Sequence, residues 1–557
     1  MTKSFHKGII DAARGIVPAD AVFKNASIFN PFTCSWDEGT LAVKEGIILG
    51  TGDYCGKKEY NVSGKYLIPG LIDAHVHIES SLLTPREYAR LVAVHGTATV
   101  IADPHEIANA AGVAGIKFML SQRKGLPVDI RYMLPSCVPA TPSDIGGSVL
   151  DSADLVRLKN NPGVLGLGEM MNVPGVLGGD PDLGKKLDIF SLRDGHAPQI
   201  SGKDLNAYIL AGLQSDHECS TLAEGEEKIR KGMYVYLREG STERNIESLA
   251  PLVTPLTVSR CCFATDDCHA DMLMNDGHID RCIRSAVASG VAPELALRMA
   301  TLSAAERFGL QDRGALAPGR RADFCVVNDP EKFMVEQVFV GGLELSDTLP
   351  VQRGSGSNLP VPFLCTIPTP ESIRIRGKGT ARVIGIVPGQ IITESLRLPV
   401  DDPMLPGQDV LKIVVCNRYG SGACGTGLVR GFGFSKGAIA SSVAHDAHNL
   451  IAVGTSDEEI LKVIGIVIKM QGGMAAVAGE KEACLPLDCG GLMSSLPYPD
   501  VAARLEELNS FTRAMGGIDD PFMYLSFLSL TVIPSLRITD RGMFDAVGFL
   551  DVPLFIR

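Results

Sequence analysis

The strongest chemistry-bearing pattern in this chain is Pro69-Gly70-Leu71-Ile72-Asp73-Ala74-His75-Val76-His77, an apolar run ending in two histidines one residue apart. Residues i and i+2 of a strand face the same side, so His75 and His77 aim two imidazoles at one point. That spacing suits a single Zn, Mn, Fe or Ni ion. Two ordinary histidines on a solvated strand end are the bland alternative. The apolar run before them and the ionisable strand ends that follow weigh against it.

A cation needs more ligands. Glu169 ends the glycine-rich run Gly163-Val164-Leu165-Gly166-Leu167-Gly168-Glu169, and a carboxylate there can bridge two cations, one oxygen to each. His196 and His217 would each read as structural alone; on successive strand ends they are expected to hold a second metal. Asp266, in Ala264-Thr265-Asp266-Asp267, closes the set, with Asp267 an open alternative for the same role. Four histidines, a bridging glutamate and an aspartate match a two-metal hydrolytic site. Two cations about 3.5–4 Å apart make a shared water acidic enough to supply hydroxide near neutral pH. An aspartate beside it can take the proton and hand it to a leaving amine. Asp266 and Glu169 are therefore the candidate catalytic groups.

Such residues must be brought to one place. Strand-like runs end at His77, Asp103, Pro135, Glu169, His196, His217, Glu239 and Asp266, at intervals of roughly 20 to 35 residues with helix-like segments between. Eight such units make an α/β fold, a (β/α)8 TIM-like barrel, whose catalytic groups sit at the C-terminal ends of its strands. Its span is residues 67–318. The fifth unit, Ser191-Leu192-Arg193-Asp194-Gly195-His196, has poor strand propensity. Short strands broken by turns, such as Glu45-Gly46, occupy residues 1–66 and return at 319–350, and together they predict a small β domain built from both flanks. The stretch Gly354-Ser355-Gly356-Ser357-Asn358-Leu359-Pro360 reads as a linker, and residues 371–557 as a separate α/β C-terminal domain.

Bulk properties narrow the partners. The net charge of −12 argues against nucleic acid or an anionic membrane as the main partner. The first residues do not read as a secretory signal, and no apolar stretch approaches the roughly 20 residues of a bilayer span. Fourteen scattered cysteines without a CxxC pair fit a reduced, cytoplasmic setting. Cys261-Cys262 reads as buried strand. A chain of this length and kind is expected to be a homo-oligomer.

The motifs then support a resemblance. The HxH run and Ala317-Pro318-Gly319-Arg320-Arg321-Ala322-Asp323 resemble the amidohydrolase superfamily. More specific motifs resemble its bacterial adenine deaminase family: His77-Ile78-Glu79-Ser80-Ser81, Asp103-Pro104-His105-Glu106-Ile107-Ala108-Asn109, Met133-Leu134-Pro135-Ser136-Cys137-Val138-Pro139-Ala140, Arg238-Glu239-Gly240-Ser241, Thr265-Asp266-Asp267 and Val443-Ala444-His445-Asp446-Ala447-His448-Asn449. The resemblance covers nearly the whole chain. It implies conversion of the small molecule adenine to hypoxanthine and ammonia in purine salvage. The implied cofactor is a divalent metal, two per subunit, manganese first with iron or zinc as alternatives. Many superfamily members bridge their metals with a carboxylated lysine on the fourth strand, where this chain has Glu169; that departure agrees with the adenine deaminase pattern. Asn172 stands where the family is expected to carry an acid, which leaves pocket polarity open.

His105, Glu106, Arg238, Glu239 and Asp267 are further candidates for substrate contact or for orienting the ligands. His445-Asp446-Ala447-His448 either folds over the barrel mouth or serves the C-terminal domain alone. Two rival functions stay in view. One is another amidohydrolase reaction, such as cyclic amide hydrolysis or deacetylation, on the same ligands. The other is a catalytically dead barrel, which the six filled ligand positions disfavour. A cytidine-deaminase-type site would need a P-C-x-x-C element, which is missing.

Overall fold

The computed structural model describes residues 6–141, 144–345, 359–401 and 408–556. Five strands come first: β1 (Ala19–Asn30), β2 (Ser35–Lys44), β3 (Ile47–Thr51), β4 (Gly56–Asn61) and β5 (Tyr66–Pro69). Glu45 and Gly46 join β2 to β3 with both residues in the left-handed region, φ +52° and +73°, the conformation that a tight hairpin turn demands.

Eight parallel strands follow: β6 (Leu71–Val76), β7 (Thr97–Ala102), β8 (Asp129–Leu134), β9 (Val164–Met170), β10 (Arg193–Gly195), β11 (Ser215–Asp216), β12 (Tyr234–Arg238) and β13 (Cys261–Ala264). They pair as two sheets, β10-β9-β8-β7-β6 and β11-β12-β13. At one junction the Gly195 backbone N–H donates to the Ser215 hydroxyl and the Ala197 N–H to the Asp216 carboxylate. At the other, Asp266 N–H donates to His75 O at 3.0 Å and His77 N–H donates to Asp266 O at 3.1 Å. Ile72, Ala74, Ile101, Met133, Tyr236, Cys262 and Ala264, from both sheets, form one buried apolar cluster. The sites of chemistry sit beyond the strand ends on one rim. The fifth strand, β10, is only three residues long, in keeping with its weak propensity.

Strands β14 (Phe324–Val327), β15 (Val335–Val340) and β16 (Leu343–Glu344) then return to the first sheet, where β14 pairs antiparallel with β5 in the order β16-β15-β14-β5-β1-β2-β3. The last eight strands relevant here are β17 (Gly379–Ile386), β18 (Thr393–Val400), β19 (Val410–Cys416), β20 (Cys424–Arg430), β21 (Ala438–Ser441), β22 (Leu450–Gly454), β23 (Gly473–Ala478) and β24 (Lys481–Pro486), joined in one sheet. The helix α1 (Asp457–Met470) covers one face of it. The opposite face shares a continuous apolar cluster with the outer face of the parallel strands, with Ile413, Val453 and Met474 among the same buried set as Val100, Leu134 and Leu167. At roughly 25 cal/mol per Å² of apolar surface, such burial is the main force holding the last sheet on the strands. Residues 354–358 of the expected linker lie outside the described residues. No helix among the described residues is long and apolar enough to cross a membrane.

Candidate metal and substrate site

The eight strand-end residues expected to carry chemistry lie at or just beyond the ends of β6 to β13. The HxH pair does not follow simple alternation: the register between β6 and β7 shifts between Asp73 and Val76, and His77 lies one residue past β6. The two rings still meet, with His75 Nε2 and His77 Nε2 3.2 Å apart.

Glu169 stands at the centre. Its Oε1 is 3.1 Å from His77 Nε2 and 3.6 Å from His75 Nε2, while its Oε2 is 2.9 Å from His196 Nδ1 and 3.2 Å from His217 Nε2. Asp266 Oδ1 faces the first pair, 3.0 Å from His77 Nε2 and 3.3 Å from His75 Nε2. All six expected ligands are therefore in one buried nest. His75, His77 and Glu169 offer ligand atoms within 4.8 Å of one another, as do Glu169, His196 and His217, and also His75, His217 and Asp266. Asp266 Oδ1, His196 Nε2 and His217 Nδ1 are buried with no hydrogen-bond partner in the protein. Crowded imidazole nitrogens, carboxylates and unpartnered acceptors are the donor set that divalent transition metals take.

Charge is managed around this nest. Burial opposes ionisation of Glu169, but the four surrounding imidazoles outweigh it and hold the carboxyl well below its usual range. Burial likewise opposes ionisation of Asp266, and the Arg238 guanidinium with His75 and His77 draws it down. Asp267, next in the chain, is pushed the other way by burial and by the Asp266 charge. The two aspartates left interchangeable in sequence are thus separated. Asp266 touches the imidazoles, whereas Asp267 accepts a hydrogen bond from the Ser80 hydroxyl.

The other candidates divide. Arg238 bridges Asp266 and Glu218, with Nη1 2.6 Å from Glu218 Oε1. His105 packs its ring against His77 at 4.5 Å and holds Nδ1 3.5 Å from Glu169 Oε1. Glu106 is fully buried behind them, its Oε1 2.7 Å from Ser80 Oγ and 3.3 Å from His445 Nδ1. Glu239 is not brought into the nest; the cations beside its carboxyl are Arg281 and Arg244. Asn172 is not at the cavity either. Its Oδ1 accepts the Gly175 N–H at 2.9 Å and caps the short helix Val173–Leu177, a role for which Asn and Asp serve equally.

Two contributions escaped the sequence reading. Glu218 follows His217 directly, lies 3.3 Å from His217 Nε2, and is drawn down to about 2 by Arg238 and the histidines against the opposing effect of burial. Its adjacency to a candidate ligand was the available signal. The Asp103 carboxylate accepts the Glu169 backbone N–H at 2.9 Å, and a Cβ on Gly168 would collide with that carboxylate. Gly168→Ala should therefore shift Asp103, tilt Glu169 and weaken cation affinity by about 10–100-fold, the usual cost of losing an orienting partner; a titration of the metal-free chain with Mn(II) measures it. The segments after the parallel strands complete the lining, and they include the His445-Asp446 stretch whose place the sequence left open. His445, Asp446, Ile391, Phe527 and Leu530 line the same narrow cavity. The His445 ring stacks on Phe527 at 4.6 Å.

Comparison with known proteins points the same way. The amidohydrolase family matches residues 66–345, and the adenine deaminase C-terminal domain matches residues 390–549. The chain is 62% identical over 555 residues to an adenine deaminase of Methanoregula boonei, covering 99% of both chains. It is 58% identical to an adenine deaminase of Methanoculleus marisnigri, over 92% of this chain and 99% of that one. It is also 45% identical to an adenine deaminase 2 of Carboxydothermus hydrogenoformans, over 98% and 99%.

Proposed function

The chain belongs to the adenine deaminase family of amidohydrolases, and from that premise we propose that the buried nest hydrolyses adenine to hypoxanthine and ammonia. The observation that carries this reading is the division of Glu169: each carboxylate oxygen faces its own pair of imidazoles, as a bridge between two cations requires. His75, His77 and Asp266 would hold one cation, His196 and His217 the other. Such ligands accept manganese, iron and zinc alike, and it is the family resemblance that puts manganese first. When bound, the cations supply a water acidic enough to attack carbon near neutral pH.

The chain's own groups complete the reaction. Arg238 keeps Asp266 ionised, so its carboxylate is available to take the proton of the attacking water. The same carboxyl, once protonated, donates to the amino group leaving C6 of the purine. Glu218, Arg238 and Asp267 give the cavity hydrogen-bonding edges, and Phe527, Leu530 and Ile391 give it apolar faces. That combination suits a flat heteroaromatic base with polar rims. Three further proposals follow the same reading. The parallel strands β6 to β13 are one closed (β/α)8 barrel, supported by the hydrogen bonds at both junctions. The chain divides into a β domain from residues 1–66 and 319–350, a barrel from 67–318 and a C-terminal adenine-deaminase-type domain from 371–557. Fourteen cysteines without a disulfide support a reducing, cytoplasmic location.

The test is ammonia release by the purified chain with Mn(II). Adenine is expected to be turned over, dihydroorotate and N-acetyl sugars are not, and a chelator should abolish turnover until Mn(II) is restored. Hydrolysis of a cyclic amide in preference to adenine would overturn the substrate assignment.

A further inference from the structure

A second cluster of potential ligands lies in the last sheet, away from the nest, and consists only of thiols. Cys416 ends β19 and Cys424 opens β20, and the two are direct cross-strand partners. Their sulfurs are 3.5 Å apart. The extended segment carrying Cys365 is tied alongside by the Leu364 N–H, which donates to Arg418 O at 2.8 Å. Cys365 and Cys416 share one small buried cluster, with Cys424 packed against its edge. Thiols from three separate stretches of chain are therefore gathered in one small cluster.

We propose that Cys365, Cys416 and Cys424 form a binding site for one soft d10 cation of the Cu(I) or Cd(II) kind.

Thiolates are the ligands that such cations select. Sulfurs each about 2.3 Å from one ion stand roughly 4.0 Å apart in a trigonal plane, so the observed contact must open by about half an ångström. The mouth of the site allows that. Cys416 and Cys365 are buried, but Cys424 is only partly so and borders the turn 417–423, which gives an ion a way in. On binding, the thiols release their protons to solvent and three metal–sulfur bonds form. The Arg418 guanidinium, which lies over the Phe363 ring at 5.4 Å beside Cys365, offsets part of the resulting negative charge. The alternative is that the three cysteines serve only as small apolar packing among Phe363, Val414 and Ala440. Packing alone does not need three thiols gathered in one cluster with one of them at a partly open edge.

The experiment is an anaerobic titration of the full, reduced chain with Cd(II), read by the ultraviolet thiolate-to-cadmium charge-transfer band. None of the nest residues is a cysteine, so cadmium entering the nest gives no such band, and the result is independent of the deaminase assignment. The band should saturate at one equivalent, vanish in Cys416→Ser and in Cys424→Ser, and persist in Cys55→Ser, whose thiol is exposed in the first sheet. Should Cys416→Ser fail to fold, Cys424→Ser at the half-exposed rim decides, with circular dichroism confirming its structure. Absence of the band in the unaltered chain, or its persistence in a folded Cys424→Ser variant, overturns the proposal. So does a Cys416–Cys424 disulfide found by mass spectrometry in anaerobically purified protein.

Discussion

Replacing Glu169 with glutamine is expected to cost roughly a thousandfold or more in adenine turnover, because in its proposed bridging role the carboxylate would support several kcal/mol of charge stabilisation and each ~1.4 kcal/mol is tenfold in rate. The substitution is nearly isosteric, so size is not the cause. Each oxygen of Glu169 now faces a separate pair of imidazole nitrogens. In glutamine one of those positions becomes an NH2 group, a donor with no lone pair for a cation. Whichever way the amide turns, one half of the nest loses its ligand. Metal analysis should show the bound cation content falling together with activity, while the circular dichroism spectrum stays that of the folded chain. A variant that kept both its metal and its turnover would remove Glu169 from the centre of the site.

Asp266→Asn is the second large effect, and it differs in kind. The asparagine oxygen can still face His75 and His77, so cation content and KM should stay within a few-fold of the parent. What disappears is the group that takes and returns a proton, and kcat should fall by about 10²–10⁴-fold. Asp267→Asn, whose carboxyl pairs with Ser80, should lose far less. Arg238 gives the pH test. Its guanidinium lowers the Asp266 pKa against the effect of burial, so the base stays ionised, and active, down to low pH. Removing that charge with Arg238→Gln raises the Asp266 pKa, so the acidic limb of the kcat/KM profile should move to higher pH. A limb that stays in place would mean that another group sets it. A loss in Asp267→Asn equal to that in Asp266→Asn would reassign the shuttle.

How much of this was legible in the sequence varies with distance along the chain. The HxH pair and the acid at the tip of a glycine-rich strand are local patterns, and strand ends in a repeating βα order bring them to one rim. They could be read residue by residue. Glu218 escaped because a carboxylate next to a candidate ligand looks like any solvated strand end until Arg238 is seen against it. Asn172 seemed to bear on pocket polarity, yet it is a helix cap, a role set by the backbone of Val173–Leu177 rather than by the cavity. The approach of His445 and Asp446 to the mouth depends on how the last sheet docks on the parallel strands. That docking is set by dozens of dispersed apolar side chains, none of which carries a motif.

Asp266 holds a left-handed backbone conformation, φ +55°, a region that non-glycine residues occupy at some energetic cost. Its amide and carbonyl are both tied to the HxH segment, through His75 O and His77 N. The peptide group that zips the last strand onto the first is therefore the one that aims the proton carrier. A molecule in which that seam has frayed should therefore lose the aim of Asp266 as well. Amide exchange at Asp266 and His77 should accordingly slow in step with the recovery of turnover during refolding.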